Sequence, residues 1–245
     1  MWTKYGKIAR DLREAISRGD YAPGSTLPAL PQLMEKYGVA RDTVREAITA
    51  LANEGIVTPK QGIGTVVRDT GGAHLNSTRT TAHPTWTETT GSAGRVELVE
   101  AEHVTADTEI AERLGIPAGS DVTRRVKHYY VGRDVVLMHE QWIPKWVSSA
   151  ITASSGYDPG STATEPSDIY SLMKQSGSRP NETRETVTCR MPDPQERDAM
   201  SMPPGVPVQM IKRTTTDKHG KPLETSDFAA CGDRASATYT VTMET

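Results

Sequence analysis

Phenylalanine occurs once in this 245-residue chain and cysteine twice, and no apolar run approaches the roughly 18 residues that span a bilayer. Cys189 and Cys231 have no C-x-x-C spacing and are too few for a disulfide framework, so they read as thiols in a reducing compartment. Metal-ligand spacing is missing too. His74, His83, His103, His128, His139 and His219 form neither H-x-H nor HExxH, and no G-x-S-x-G nucleophile elbow is present. In "MHEQW", His139 and Glu140 are adjacent on an expected strand and point to opposite faces, so they would not act jointly. The N-terminus is amphipathic from the start and lacks a signal peptide's apolar stretch. The expectation is a cytoplasmic protein without metal or cofactor, in which the sequons at Asn76 and Asn181 carry no meaning.

What is present divides unevenly along the chain. The whole carries 28 basic and 31 acidic residues, but residues 1–70 hold ten Lys/Arg against eight Asp/Glu, and the remainder 18 against 23. A preference for a polyanion therefore belongs at the N-terminal end.

That end reads as three helices and a hairpin. Tyr5, Ile8, Ala9, Leu12, Ala15 and Ile16 recur at helical spacing, and "RGDYAPGSTLP" stops the helix. A second helix is expected from Pro28 to Tyr37, ended by Gly38. The third follows within three or four residues, with Val44, Ile48 and Leu51 as its inward stripe. "IVTPKQGIGTVVR" then gives two β-branched runs around Gly62 and Gly64. Three helices and a hairpin with so tight a "YGVAR" connection describe a winged helix-turn-helix. Arg41 and Arg45 share one outer flank of the third helix at its N-terminal end, with Thr43 nearby, where a recognition helix meets base edges. A guanidinium fork suits guanine O6 and N7. Lys60 and Gln61, with the Gly62 and Gly64 backbone, are placed to approach a phosphate or the minor groove. A solvated network of these arginines with Glu35, Asp42 or Glu46 is the plainer alternative.

Residues 69–94, rich in threonine and glycine and without sustained periodicity, read as a linker. From residue 95 the pattern runs strand, short helix, hairpin turning at Gly132-Arg133-Asp134, helix, strand, helix, hairpin turning at Lys218–Lys221, and a last strand. Strand–helix–hairpin occurs twice, so the expectation is a duplicated α+β domain with a mostly antiparallel sheet. Arg125 and Lys127 flank Val126 and share a face. Glu140 and Glu224 are expected at equivalent places on the second strands of the two hairpins. Ser167 is positioned to cap the "DIYSLM" helix, whose free N–H groups suit an anion.

Residues 5–68 resemble the DNA-binding domain of the GntR family of bacterial transcription factors, through "YGKIARDLREAISRGDYAPGSTLP", "GVARDTVREAITALANEGIV" and "KQGIGTVV". Residues 95–245 resemble the UTRA ligand-binding domain of the HutC-type branch, through "IAERLGIPAGSDVTRRVKHYY", "VVLMHEQWIP", "SDIYSLMKQSG" and "DKHGKPLETSDFAACGDR". The resemblance implies a winged helix at 1–68, a linker at 69–94 and a chorismate-lyase-like effector-binding and dimerisation domain at 95–245. It further implies a homodimer on a two-fold symmetric operator, repression by default, and release by a small-molecule effector, an anion or other metabolite. Arg41, Thr43, Arg45 and the Gly62 wing match the family's DNA contacts. Arg125, Lys127, Glu140, Ser167, Tyr170 and Glu224 are implied to line the effector site. Three departures stand out: Pro31 replaces an arginine that contacts DNA in many members, Lys127 lacks a guanidinium fork, and Ala230 replaces an aromatic before "GDR". The rival readings are a second domain that only dimerises, and an enzyme of the lyase-like fold.

Overall fold

The computed structural model describes residues 3–68, 73–77, 94–163 and 168–239. They fall into two compact units, and the first is discontinuous in sequence: residues 1–75 are joined by 191–208 and 231–239.

In the first unit, α1 (Lys4–Ser17) begins at Thr3, whose hydroxyl accepts from the Gly6 amide. Helix α2 (Leu30–Tyr37) ends on Gly38 at φ 61°, the left-handed conformation that turns the chain into α3 (Arg41–Asn53) within three residues. Strands β1 (Val57–Lys60) and β2 (Gly64–Val67) pair antiparallel with Val57 opposite Val67. The apolar stripes converge on one core of Ile8, Leu12, Leu27, Leu33, Val44, Ala47, Ile48, Leu51, Val57 and Val67. Leu51 is fully buried there. Leu51→Ala is expected to cost about 2–5 kcal/mol of stability in urea unfolding, the usual range for a core leucine.

Within the stretch expected to be linker, Ala73–Ser77 forms a strand, β3, and the rest of that stretch up to residue 93 lies outside the described residues. It pairs with Ala235–Tyr239, the tenth strand among the described residues (β10). A strand whose partner lies some 160 positions away leaves no local periodicity to read.

The second unit is built on β4 (Gly94–Thr105), β5 (Asp121–Val131), β6 (Asp134–Pro144), β7 (Glu182–Arg190), β8 (Val208–Thr216) and β9 (Pro222–Cys231). Their order in the sheet is β4-β5-β6-β9-β8-β7, each strand–hairpin set mirrored about the β6–β9 pair, as a duplicated domain requires. Helix α4 (Thr108–Leu114) packs Ile110, Ala111 and Leu114 with Val122 and Trp142 on one face. Helices α5 (Lys145–Ser155) and α6 (Ile169–Gln175) pack Val147, Ile151, Ile169 and Met173 with Ile143. Helix α5 has no counterpart in the sequence reading, because "KWVSSAITASS" is rich in serine and threonine, which are indifferent helix formers. Helix α7 (Pro194–Ala199) belongs to the first unit. No helix among the described residues is long and apolar enough to cross a membrane.

Candidate functional site

The winged helix sorts its arginines into two kinds. Those of α1 and its C-terminal cap are engaged: Arg10 with Glu14 (3.9 Å), Arg13 with Glu54 (2.6 Å), and the capping Arg18 with Asp20 (2.8 Å). Arg41 and Arg45 of α3 are exposed, and neither makes an ion pair among the described residues. The plainer alternative of a surface network with Glu35, Asp42 or Glu46 is therefore not what the side chains adopt. Val44, Ala47, Ile48 and Leu51 are buried and fix the rotation of α3, which leaves Arg41 and Arg45 on its outer flank and Thr43 half-buried between. Arg45 also lines an open groove with Tyr5, Asp42, Glu46, Thr49 and Asn53. Across the hairpin turn Lys60, Gln61, Gly62 and Gly64 are all exposed, and so is Ile63 at the tip, a residue the sequence reading passed over.

The second unit holds a buried polar face between its sheet and α5–α6. Arg125 and Glu224 are each 0 % exposed. Arg125 donates to Gln141 (3.3 Å) and to the Tyr157 hydroxyl (3.1 Å). Glu224 accepts from four side chains: Thr215 (2.5 Å), Ser226 (2.5 Å), Tyr170 (3.1 Å) and Gln141 (3.3 Å). Lys127 lies opposite His139, on the same face. Burial pushes the Tyr170 hydroxyl far above its usual pKa, and the Glu224 charge adds to that push. The hydroxyl is thus a permanent donor. Nearby, Arg213 pairs with Glu185 (2.5 Å) and lies over Phe228, which stacks on His139 at 4.1 Å.

His139 is locked by the same network. Ser226 donates to Glu224 and so accepts from His139 Nε2 (3.0 Å), leaving Nδ1 to accept from Tyr129 (3.4 Å). Burial, then the charges of Lys127, Arg213 and Arg125, hold its pKa well below the usual 6.5. The unfolded chain takes up that proton first as pH falls. The stability His139 contributes is therefore complete above about pH 6.5 and is lost on acidification towards the depressed folded value. Thermal melts at about pH 7.5 and pH 5.5 check this, with His139→Gln expected to shrink the difference.

Two expectations are corrected. Glu140 does not face this cluster. A β-bulge between Tyr129 and Tyr130 shifts the β5–β6 register by one residue, so Gln141 lies opposite Arg125 and Glu140 lies opposite Val126. Glu140 turns to the other face and binds Arg124, which also holds Glu100 (2.7 Å) and Glu102 (2.9 Å). Second, α6 is capped by Asp168, which accepts from the Tyr170 amide (2.9 Å) and the Ser171 hydroxyl (2.6 Å). The cap is thus an acidic side chain that takes the Tyr170 amide, and Ser167, the residue expected to cap this helix, lies outside the described residues. Of the remaining expected residues, Arg125, Lys127, Tyr170 and Glu224 come together on one face. Gln141, Ser226, Thr215, Tyr157 and Arg213 join them without having been singled out, although i±2 positions along β9 from Glu224 already point to Ser226. No group of three or more His, Cys, Asp or Glu among the described residues is placed to hold a metal ion.

A winged helix whose third helix exposes two arginines without ion pairs among the described residues, on one chain with an antiparallel sheet that buries a polar face, is the architecture of a DNA-binding regulator. The UTRA domain profile matches residues 89–236, and that of the bacterial regulatory proteins of the gntR family matches residues 4–67. The chain belongs to the GntR family of transcriptional regulators, in its UTRA-bearing branch, and this is a family of regulators, not of enzymes. It is 28 % identical over 222 residues to the HTH-type transcriptional regulator GgaR of Escherichia coli K12, covering 91 % of this chain and 84 % of that one. It is 24 % identical over 235 residues to a protein of the same organism described as "Probable fructoselysine utilization operon transcriptional repressor", covering 96 % and 93 %. The crystal structure of PhnF from Mycobacterium smegmatis shares the fold, with a TM-score of 0.58 and 21 % identity over 96 % of this chain and 99 % of that one.

Proposed function

We propose that the protein is a cytoplasmic repressor that binds a two-fold symmetric operator as a homodimer and leaves it when a small anionic metabolite occupies the second unit. The observation that carries the DNA half is the contrast among the arginines: those of α1 have carboxylate partners, whereas Arg41 and Arg45 are exposed without ion pairs among the described residues. In this reading Arg41 and Arg45, with Thr43, read base edges in the major groove, and Lys60, Gln61 and the Gly62 and Gly64 backbone hold phosphates or the minor groove. Residues 1–68 are the reading head, 69–94 the connection, and 95–245, apart from the segments 191–208 and 231–239 that belong to the first unit, the sensing and pairing part. Repression follows the description of the fructoselysine-operon relative. Arg125, Lys127, Tyr170 and Glu224 line the effector site. An anion there would take over bonds that Arg125 now makes to Gln141 and Tyr157.

One observation favours a second reading, in which this unit only joins two chains: its buried polar groups are bonded to one another. A thermal-shift screen of phosphorylated and carboxylated metabolites against the full chain separates the two. A hit that also lowers affinity for operator DNA, followed by fluorescence anisotropy, supports the sensor. A panel without any shift supports the non-sensing reading.

A further inference from the structure

The side chain of Arg68 is basic and follows directly on the wing, yet it does not face solvent. It is 10 % exposed and forms an ion pair with Asp233, itself 7 % exposed. Its Nη1 also donates to the Gly55 carbonyl (3.3 Å), and its backbone amide donates to Ile56 (2.9 Å), closing the base of the β1–β2 hairpin. Asp233 is anchored in turn: it accepts from the Cys231 thiol (2.8 Å), and Gly232 beside it donates to the Pro207 carbonyl (3.0 Å). The surrounding contact is tight enough to require glycine on both sides. A Cβ on Gly55 would stand 2.7 Å from Asp233 Oδ2 and 2.8 Å from Val206 Cγ2, and one on Gly205 would stand 2.7 Å from the Asn53 carbonyl. All these residues belong to the discontinuous first unit.

We propose that Asp233 is a positioning residue for DNA binding: through Arg68 it fixes the base of the wing, so that the segment following β9 is a working part of the DNA-binding unit. This rests on the reading of the winged helix as the DNA-binding element. The pair is buried, so it acts on DNA only through the direction it gives the hairpin that carries Lys60, Gln61 and Gly62. The segment is also the covalent continuation of β9, the strand that carries Glu224 and Ser226. A displacement of β9 by a bound effector therefore has an unbroken chain path to the wing.

The test uses the full chain and operator DNA enriched by the wild-type protein from a random pool, with anisotropy titrations at several salt concentrations. Asp233→Asn and Arg68→Lys are each expected to weaken operator binding about tenfold, within the range of coupling between sites. The slope of log affinity against log salt should fall by about one to two per chain as wing phosphate contacts are lost. The ratio of operator to random DNA affinity should persist, because α3 is untouched. The double variant should be no weaker than the weaker single variant, as for residues that act as a pair. A lowered melting temperature with unchanged affinity and salt slope would reduce the pair to a structural role and overturn the proposal, and so would strictly additive losses. Asp233→Glu, which keeps the charge, serves if Asp233→Asn does not melt cooperatively, and the same outcomes decide. Failure of the wild-type protein to enrich any DNA would instead overturn the underlying DNA-binding assignment.

Discussion

Arg45→Ala is expected to reduce the ratio of operator to random DNA affinity by about 1–3 kcal/mol per half-site, the value of a bidentate guanidinium–guanine pair. The physical ground is specific to this side chain. It is exposed on a helix whose rotation is fixed by four buried residues, and it has no carboxylate partner among the described residues to lose. Its removal should accordingly leave stability within about 0.5 kcal/mol of wild type, so a binding defect would not be a folding defect. Lys60→Ala supplies the contrast. A phosphate contact carries no sequence information, so its loss should weaken operator and random DNA alike and lower the salt slope by about one. Parallel titrations of both variants against both DNAs decide the matter. An Arg45→Ala protein that still prefers its operator as strongly as wild type does would remove that residue from the reading surface.

The second large effect lies in the polar face. Glu224→Ala deletes a fully buried carboxylate and strands the four side chains that donate to it, near a buried Arg125. Breaking a buried charged network on one side costs about 3–5 kcal/mol. In a chain of this length that corresponds to a fall in melting temperature on the order of 10 °C. Glu224→Gln keeps the shape and two acceptor lone pairs, so its cost should be clearly smaller. Differential scanning calorimetry of the three proteins checks the order. Equal melting temperatures for wild type and the alanine variant would mean that water, and not these donors, satisfies the carboxylate.

What the sequence disclosed and what it withheld have definite causes. The winged helix was legible because its stripes are local: Val44, Ile48 and Leu51 orient α3, Gly38 marks the connection, and Gly62 and Gly64 mark the wing. The sheet was legible as strands and turns, and its duplicated order follows from the repeated strand–helix–hairpin pattern. Which residues share a face was not fully legible. A two-residue turn at Gly132-Arg133 and perfect pairing would set Glu140 across from Arg125. The single extra residue, Val136 on β6 opposite Tyr129–Tyr130, puts Gln141 there instead and carries Glu140 to Arg124. No composition or motif announces such a bulge. The pairing of β3 with β10 and the Arg68–Asp233 contact are likewise long-range, 165 positions apart in the second case, and only the folded chain brings them together.

The close seam at Gly55 and Gly205 bears on how this protein would look in a genetic screen. Both residues sit at positive φ, and any side chain would collide with Asp233 and Val206 on one side or the Asn53 backbone on the other. In a saturation-mutagenesis map of repression, both codons would therefore appear as intolerant as Arg45, although neither presents a group to DNA or to a ligand. Measured protein abundance would sort them. Substitutions at the glycines should deplete the folded protein, whereas those at Arg45 should leave a full complement of repressor that no longer recognises where to sit.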